Sequence, residues 1–90
     1  MTIRDDLHRA LSDHDPRDTD GAALAALASK ALWASWLAGS KNSKHGPDPR
    51  AFHEMTGNAW ARCRAQNGDD PRRAAQQYAR EVFARILDAD

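Results

Sequence analysis

The chain has one cysteine, Cys63, in 90 residues. That excludes an intramolecular disulfide and any zinc site built from several cysteines. It has no glycine-rich phosphate loop, since Gly39 and Gly46 stand alone. Strand signals are missing too: β-branched residues are few and nowhere alternate with polar ones. The formal net charge is zero. That argues against a protein whose main task is to coat nucleic acid or an anionic membrane. The opening Met-Thr-Ile-Arg-Asp-Asp lacks the charged-then-apolar pattern of a leader. The longest apolar run is alanine-rich and interrupted by Ser29, Lys30 and Ser35, so it does not read as a membrane span. A soluble cytoplasmic protein is the expectation.

What is present is helical. Residues 1–20 carry three arginines against six aspartates, residues 30–80 nine Lys or Arg against four acids, and residues 81–90 one arginine against three acids. Acidic ends therefore flank a basic middle, and folding the ends back on the middle is the expected arrangement. A chain of this length makes one domain that buries roughly 60–65% of its unfolded surface. Dimerisation would help so small a core. Arginine outnumbers lysine and alanine is abundant, which fits a GC-rich bacterial or bacteriophage coding sequence.

The expected fold is all-α, a compact bundle of four helices at about 3–12, 21–38, 49–66 and 71–87, around an apolar central helix. Thr2 is placed to cap the first, with Asp5 three positions on; Ile3, Leu7, Ala10 and Leu11 form its stripe. Asp20 is placed to cap the second, which Gly39 ends. Ser40–Pro47 is the longest loop. Asp48-Pro49 and Asp70-Pro71 each pair a capping aspartate with a first-turn proline. The same Asp-Pro-Arg tripeptide at Asp15 predicts a single turn inside the first linker. On the third helix Phe52, Met55, Ala59 and Cys63 share a face with Trp60 beside them, and Gly57 is a weak point. Asn67-Gly68 ends that helix. The fourth has the cleanest stripe: Ala75, Tyr78, Ala79, Val82, Phe83 and Ile86.

The second helix, Gly21 to Ala38, is the most distinctive. Its large side chains leave no polar face: Leu24 and Leu27 point one way, Leu32 and Trp36 another, Trp33 and Leu37 a third. Such a helix must be covered all round, by its own domain, a partner chain or a ligand.

No constellation of side chains points to catalysis, a metal or a cofactor. The histidines His8, His14, His45 and His53 include no pair at i, i+4, and His53-Glu54 lacks the second histidine of a zincin. Cys63 lies on a core face, where a lone cysteine acts as a small apolar residue. The basic candidates are Lys41, Lys44 and His45 in the loop and Arg50, Arg72 and Arg73 at helix N-termini. They read as an anion site, as a solvated face, or as partners of the aspartate-rich first linker. No aromatic sits among them to stack a base.

From Leu32 to about Leu87 the order of residues resembles the acyl-CoA-binding protein family. Trp33 and Trp36, three apart, stand like that family's second-helix aromatics. Pro47 and Pro49, Phe52, Trp60, Gly68, Tyr78 and Val82 follow in register. The resemblance implies a four-helix fold that shelters an acyl chain. The family's ligand-binding lysines would fall at Leu37 and Ala59 here, and its Lys-Gln-Ala-Thr signature is absent. Each phosphate-contacting cation lost removes about 1.5–3 kcal/mol of charge-assisted bonding.

The residues thus point to non-enzymatic binding of another protein, or of a second copy, through Trp33, Trp36, Trp60 and Tyr78 with Lys41, Lys44, Arg50, Arg72 and Arg73. An adaptor or a phage-type inhibitor of a larger host complex fits this profile. The alternative is a small-ligand carrier. Aromatics lining a cavity would favour the ligand, and aromatics filling a solid core would favour an interface.

Overall fold

Each loop-to-helix junction described begins with an aspartate that accepts otherwise unpaired N–H groups. The computed structural model describes residues 3–39 and 48–86. They form α1 (Ile3–Ser12), α2 (Ala22–Gly39), α3 (Pro49–Gln66) and α4 (Pro71–Ile86), with no strand among the described residues. These bounds lie within one residue of those expected. Thr2, the Ser40–Pro47 loop and Leu87 lie outside the described residues.

Asp48 is extended (φ −97°, ψ 108°) and accepts the Arg50 N–H at 3.0 Å, with Pro49 in the first turn. Asp70 accepts the N–H groups of Arg72 and Arg73 at 3.1 and 3.3 Å. Asp15 accepts the Arg17 N–H, and its carbonyl takes the Asp18 N–H, which makes the expected single turn. At the end of α3 the chain reverses through Gly68 (φ +62°) and Asp69 (φ +63°), and the Asp69 N–H returns to the Arg64 carbonyl at 2.8 Å.

The start of α2 differs from expectation. Asp20 reaches only the Ala22 N–H, at 3.1 Å. Asp18 takes the next two donors, Ala23 and Leu24, at 3.2 and 3.1 Å. The reason is Gly21, which turns at φ +70° and folds the chain back so that a carboxylate five residues away reaches the helix end.

α4 packs against each of the other three helices. It buries Ala74, Ala75, Tyr78, Ala79, Val82 and Ile86. Its alanines let α2 approach closely, with Leu24, Ala28, Ala31 and Leu32 buried on the α2 side. α1 inserts Leu7, which is fully covered; a leucine so placed contributes about 1.5–3 kcal/mol. Arg4 and His8 of α1 lie on the Phe83 ring at 5.2 and 5.3 Å. From α3, Cys63 is buried and Phe52, Met55, Ala59 and Trp60 are partly so.

α2 is therefore covered on two sides, by α1 and α4. α3 packs on α4 rather than along α2. Trp33 and Trp36 stay half-buried, and Leu37 is 45% exposed. Among the described residues no helix is long and apolar enough to cross a membrane.

Candidate functional site

α2 and α3 are consecutive and meet at one end only. There Trp33 and Trp36 both set their rings edge-on to Phe52, at 4.9 and 5.2 Å. Toward the α2 N-terminus they splay, because each follows its own contact with α4. The gap is an open groove of about 420 Å³. Ala25, Ala26 and Ser29 form the α2 wall; His53, Thr56, Gly57 and Trp60 continue from Phe52 along the α3 wall. Tyr78 of α4 makes the floor, with the Trp60 ring edge-on to it at 6.0 Å.

The small residues make the groove wide. A Cβ added at Gly57 would meet nothing within 4 Å. The hydroxyl groups along it already make hydrogen bonds. Ser29 Oγ and Tyr78 Oη share a hydrogen bond of 2.8 Å. The Thr56 hydroxyl donates to its own helix, to the Phe52 and His53 carbonyls. Burial pushes the Tyr78 phenol above its ordinary pKa, with the Ser29 bond opposing. The groove is thus an apolar surface with an aromatic floor.

The four aromatics expected to act together divide in two. Trp33 and Trp36 gather on Phe52, and Trp60 pairs with Tyr78. Tyr78 is buried in the core, while Trp33, Trp36 and Trp60 are half-buried; Trp33 and Trp36 close the groove and Trp60 lines it. Phe52 is a residue that sequence reasoning placed on a core stripe and in the family register, but not among the site residues. Its signal was its place in the first turn of α3, opposite the last turns of α2.

Arg72, among the candidate contacts, is engaged within the domain. Its guanidinium donates to the Asp18 carbonyl at 2.8 Å and the Asp15 carbonyl at 3.3 Å, tying the first linker to α4. The acidic linker does fold back, but Arg72 reaches its carbonyls rather than its carboxylates. Arg73 stays exposed, 3.8 Å from Asp70, and Arg50 is exposed at the start of α3. Lys41, Lys44 and His45 lie outside the described residues.

The same linker places His14 between Asp18 (2.9 Å) and Gln76 (3.1 Å), with only 8% of its side chain exposed. The His14 bond is the main cause that holds the Asp18 carboxyl below its ordinary pKa. His14 is thus a bridge rather than a solvated side chain, and its signal was the His-x-x-x-Asp spacing.

Cys63 is fully covered and donates to Glu81 at 3.4 Å; Arg62 donates to the same oxygen at 2.8 Å. Burial, with the Glu81 carboxylate beside it, pushes the thiol up to about 11, so it stays protonated at neutral pH. Burial raises Glu81, but its bonds from Cys63 and Arg62 bring it below the ordinary value. Among the described residues no group of three His, Cys, Asp or Glu is placed to hold a metal.

Leu37 and Ala59 occupy the positions at which the acyl-CoA-binding resemblance requires cations. No family model, curated protein or solved structure matches the chain.

Proposed function

We propose that this protein is a small, non-enzymatic binding module that acts by contact with another protein, as an adaptor or as an inhibitor of a larger assembly. One observation carries the reading: α4 holds α2 and α3 apart, leaving an open groove with Trp60 and Tyr78 along it and no side chain at Gly57. Aromatic rings in a concave, partly desolvated surface are the usual anchors of protein interfaces. The exposed Leu37 and half-buried Trp33 and Trp36 continue this apolar surface past the closed end of the groove. The reading includes a cytoplasmic site of action and neither a membrane nor a nucleic-acid partner, supported by the zero net charge.

The experiment is a paired capture from native lysate with the wild-type chain and Gly57→Leu as baits, read by mass spectrometry. The variant projects a large side chain from a groove position whose Cβ meets open space. The expected result is a protein retained by the wild type and lost by the variant, both baits being equally helical. Identical capture by both baits removes the groove from the function. A saturable acyl-CoA titration that quenches Trp60 installs the carrier reading instead.

A further inference from the structure

The groove also constrains what enters it. An extended peptide would bring its backbone N–H and C=O groups against Ala25 and Ala26, whose side chains offer no partners, with the Trp60 indole N–H as a single donor opposite. Ser29 and Tyr78 share one hydrogen bond and Thr56 donates to its own helix, so they could pair only part of such a backbone. Unsatisfied backbone groups in such a place cost about 1–3 kcal/mol each. A helix brings its backbone already paired. Alanine and serine on one wall and glycine on the other let a helix approach closely enough to set one large side chain above Trp60 and Tyr78.

The charges on the walls have one sign. His53 lines the α3 wall. Arg64 lies one turn beyond Trp60 and Lys30 one turn beyond Ala26, which sets them along the same two faces. All three are exposed. His53 and Arg64 are eleven residues apart, about 16 Å along the helix. α2 has no acidic residue, and the acid within α3, Glu54, lines the opposite face with Ala51 and Asn58. At the open end Asp20 and Asp70 cap α2 and α4. Lys30 on one wall and Arg64 on the other, with the His53 ring able to donate a hydrogen bond, suit a partner with spaced anionic groups, rather than a ligand with one anionic head.

We propose that the occupant is an amphipathic helix of a partner protein, with one large apolar side chain seated over Trp60 and Tyr78 beside Gly57, and with Asp or Glu flanking its apolar stripe to face Lys30, His53 and Arg64. This rests on the groove being the binding surface. It adds the secondary structure and the charge of the partner.

The test is selection from a displayed library of helical peptides of about 16 residues, long enough to hold helical structure. The apolar stripe is fixed as leucine and phenylalanine, and the flanking positions vary among Glu, Lys, Gln and Ser. The expected result is enrichment of Glu at the flanks. Lys30→Glu combined with Arg64→Glu should reverse that preference and weaken a selected peptide about tenfold, a change of about 1.4 kcal/mol. The wild-type affinity should also fall between about 50 and 500 mM salt. Gly57→Leu should abolish binding while circular dichroism is unchanged. Peptides enriched without flank preference, yet lost in Gly57→Leu, overturn the charge assignment and leave the groove standing. Peptides that bind Gly57→Leu as well as wild type overturn both the proposal and the groove reading. Recovery of no peptide overturns the helical occupant.

Discussion

The two sides of α2 are built in opposite ways. Toward α4 it is closed by small residues in contact: Gly21 is buried, and a Cβ placed on it would overlap the Ala75 Cβ. Toward α3 it is open, and a Cβ at Gly57 meets nothing. The closed side also has the polar fastening, with Arg72, His14, Asp18 and Gln76 joining linker, α2 and α4. The open side has rings and alanines with few polar contacts. The difference teaches that one apolar helix serves two purposes. One flank holds the domain together, and the other stays available.

The largest test of this contrast is Gly21→Ala. The residue has φ +70°, and its Cβ would have to displace Ala75 or the Arg72 backbone. Left-handed backbone costs about 1–2 kcal/mol for a non-glycine residue, and overpacking about 1–3 kcal/mol. A loss of about 2–5 kcal/mol is expected, measured by urea unfolding. A loss below about 1 kcal/mol would show that the α2/α4 contact has slack, and the contrast would disappear.

Next in size is Arg72→Ala against Arg73→Ala. Arg72 makes two charge-assisted bonds to linker carbonyls, one exposed and one part-buried, so a loss of about 1–3 kcal/mol is expected. Arg73 is three-quarters exposed, and its removal should fall within about 0.5 kcal/mol of zero. Hydrogen exchange should show the Asp18 to Leu24 amides released in Arg72→Ala and unchanged in Arg73→Ala. Equal effects would return Arg72 to the solvated face.

The closed side should also set the acid limit of stability. Asp18 has a lowered pKa in the folded state, caused first by His14 and then by the Ala23 and Leu24 N–H groups acting against burial. A lowered pKa stabilises the fold above the unfolded value, near pH 3.9, and that stability is lost as pH falls through the folded value. Glu81 acts in the same direction. Cys63 acts at the other end: its stabilisation is complete below pH 9.0, its ordinary value, and is lost as pH rises through about 11. Asp18→Ala should cost about 0.5–2 kcal/mol at neutral pH, as for other lost caps, and should flatten the acid limb of a urea-midpoint profile. An unchanged acid limb would remove Asp18 as its source.

Helix starts were legible because they are local. Asp48-Pro49 and Asp70-Pro71 carry cap and fixed φ in two adjacent residues, and both junctions form as read. The α2 cap was only half legible. Its main acceptor, Asp18, depends on the turn at Gly21 and on His14 and Arg72, which come from elsewhere in the chain. The apolar α2 was legible as a helix needing cover, but not which flank lacks it. That follows from α3 lying on α4, a preference set by Cys63 and the α4 stripe across many residues of separation. Phe52 shows the same limit. Its partners Trp33 and Trp36 were visible, but their meeting depends on the angle between two helices.

Gly57→Ala gives a small effect with the opposite sign. In a helix interior alanine exceeds glycine by about 0.8–1 kcal/mol, through lower backbone entropy in the unfolded chain. Here nothing opposes that gain: Gly57 is helical, exposed, and its Cβ would enter the groove without contact. Gly57→Ala should therefore stabilise the protein by up to about 1 kcal/mol, while Gly21→Ala destabilises it several times more. The same chemical change thus reports opposite surroundings at the two positions. If the groove takes a helix packed against Gly57, the added methyl group also stands in its path. The stabilised variant should then bind a selected peptide more weakly than wild type, so stability and affinity move in opposite directions. A variant that gains stability and keeps full affinity would show that the partner does not approach the α3 wall at Gly57.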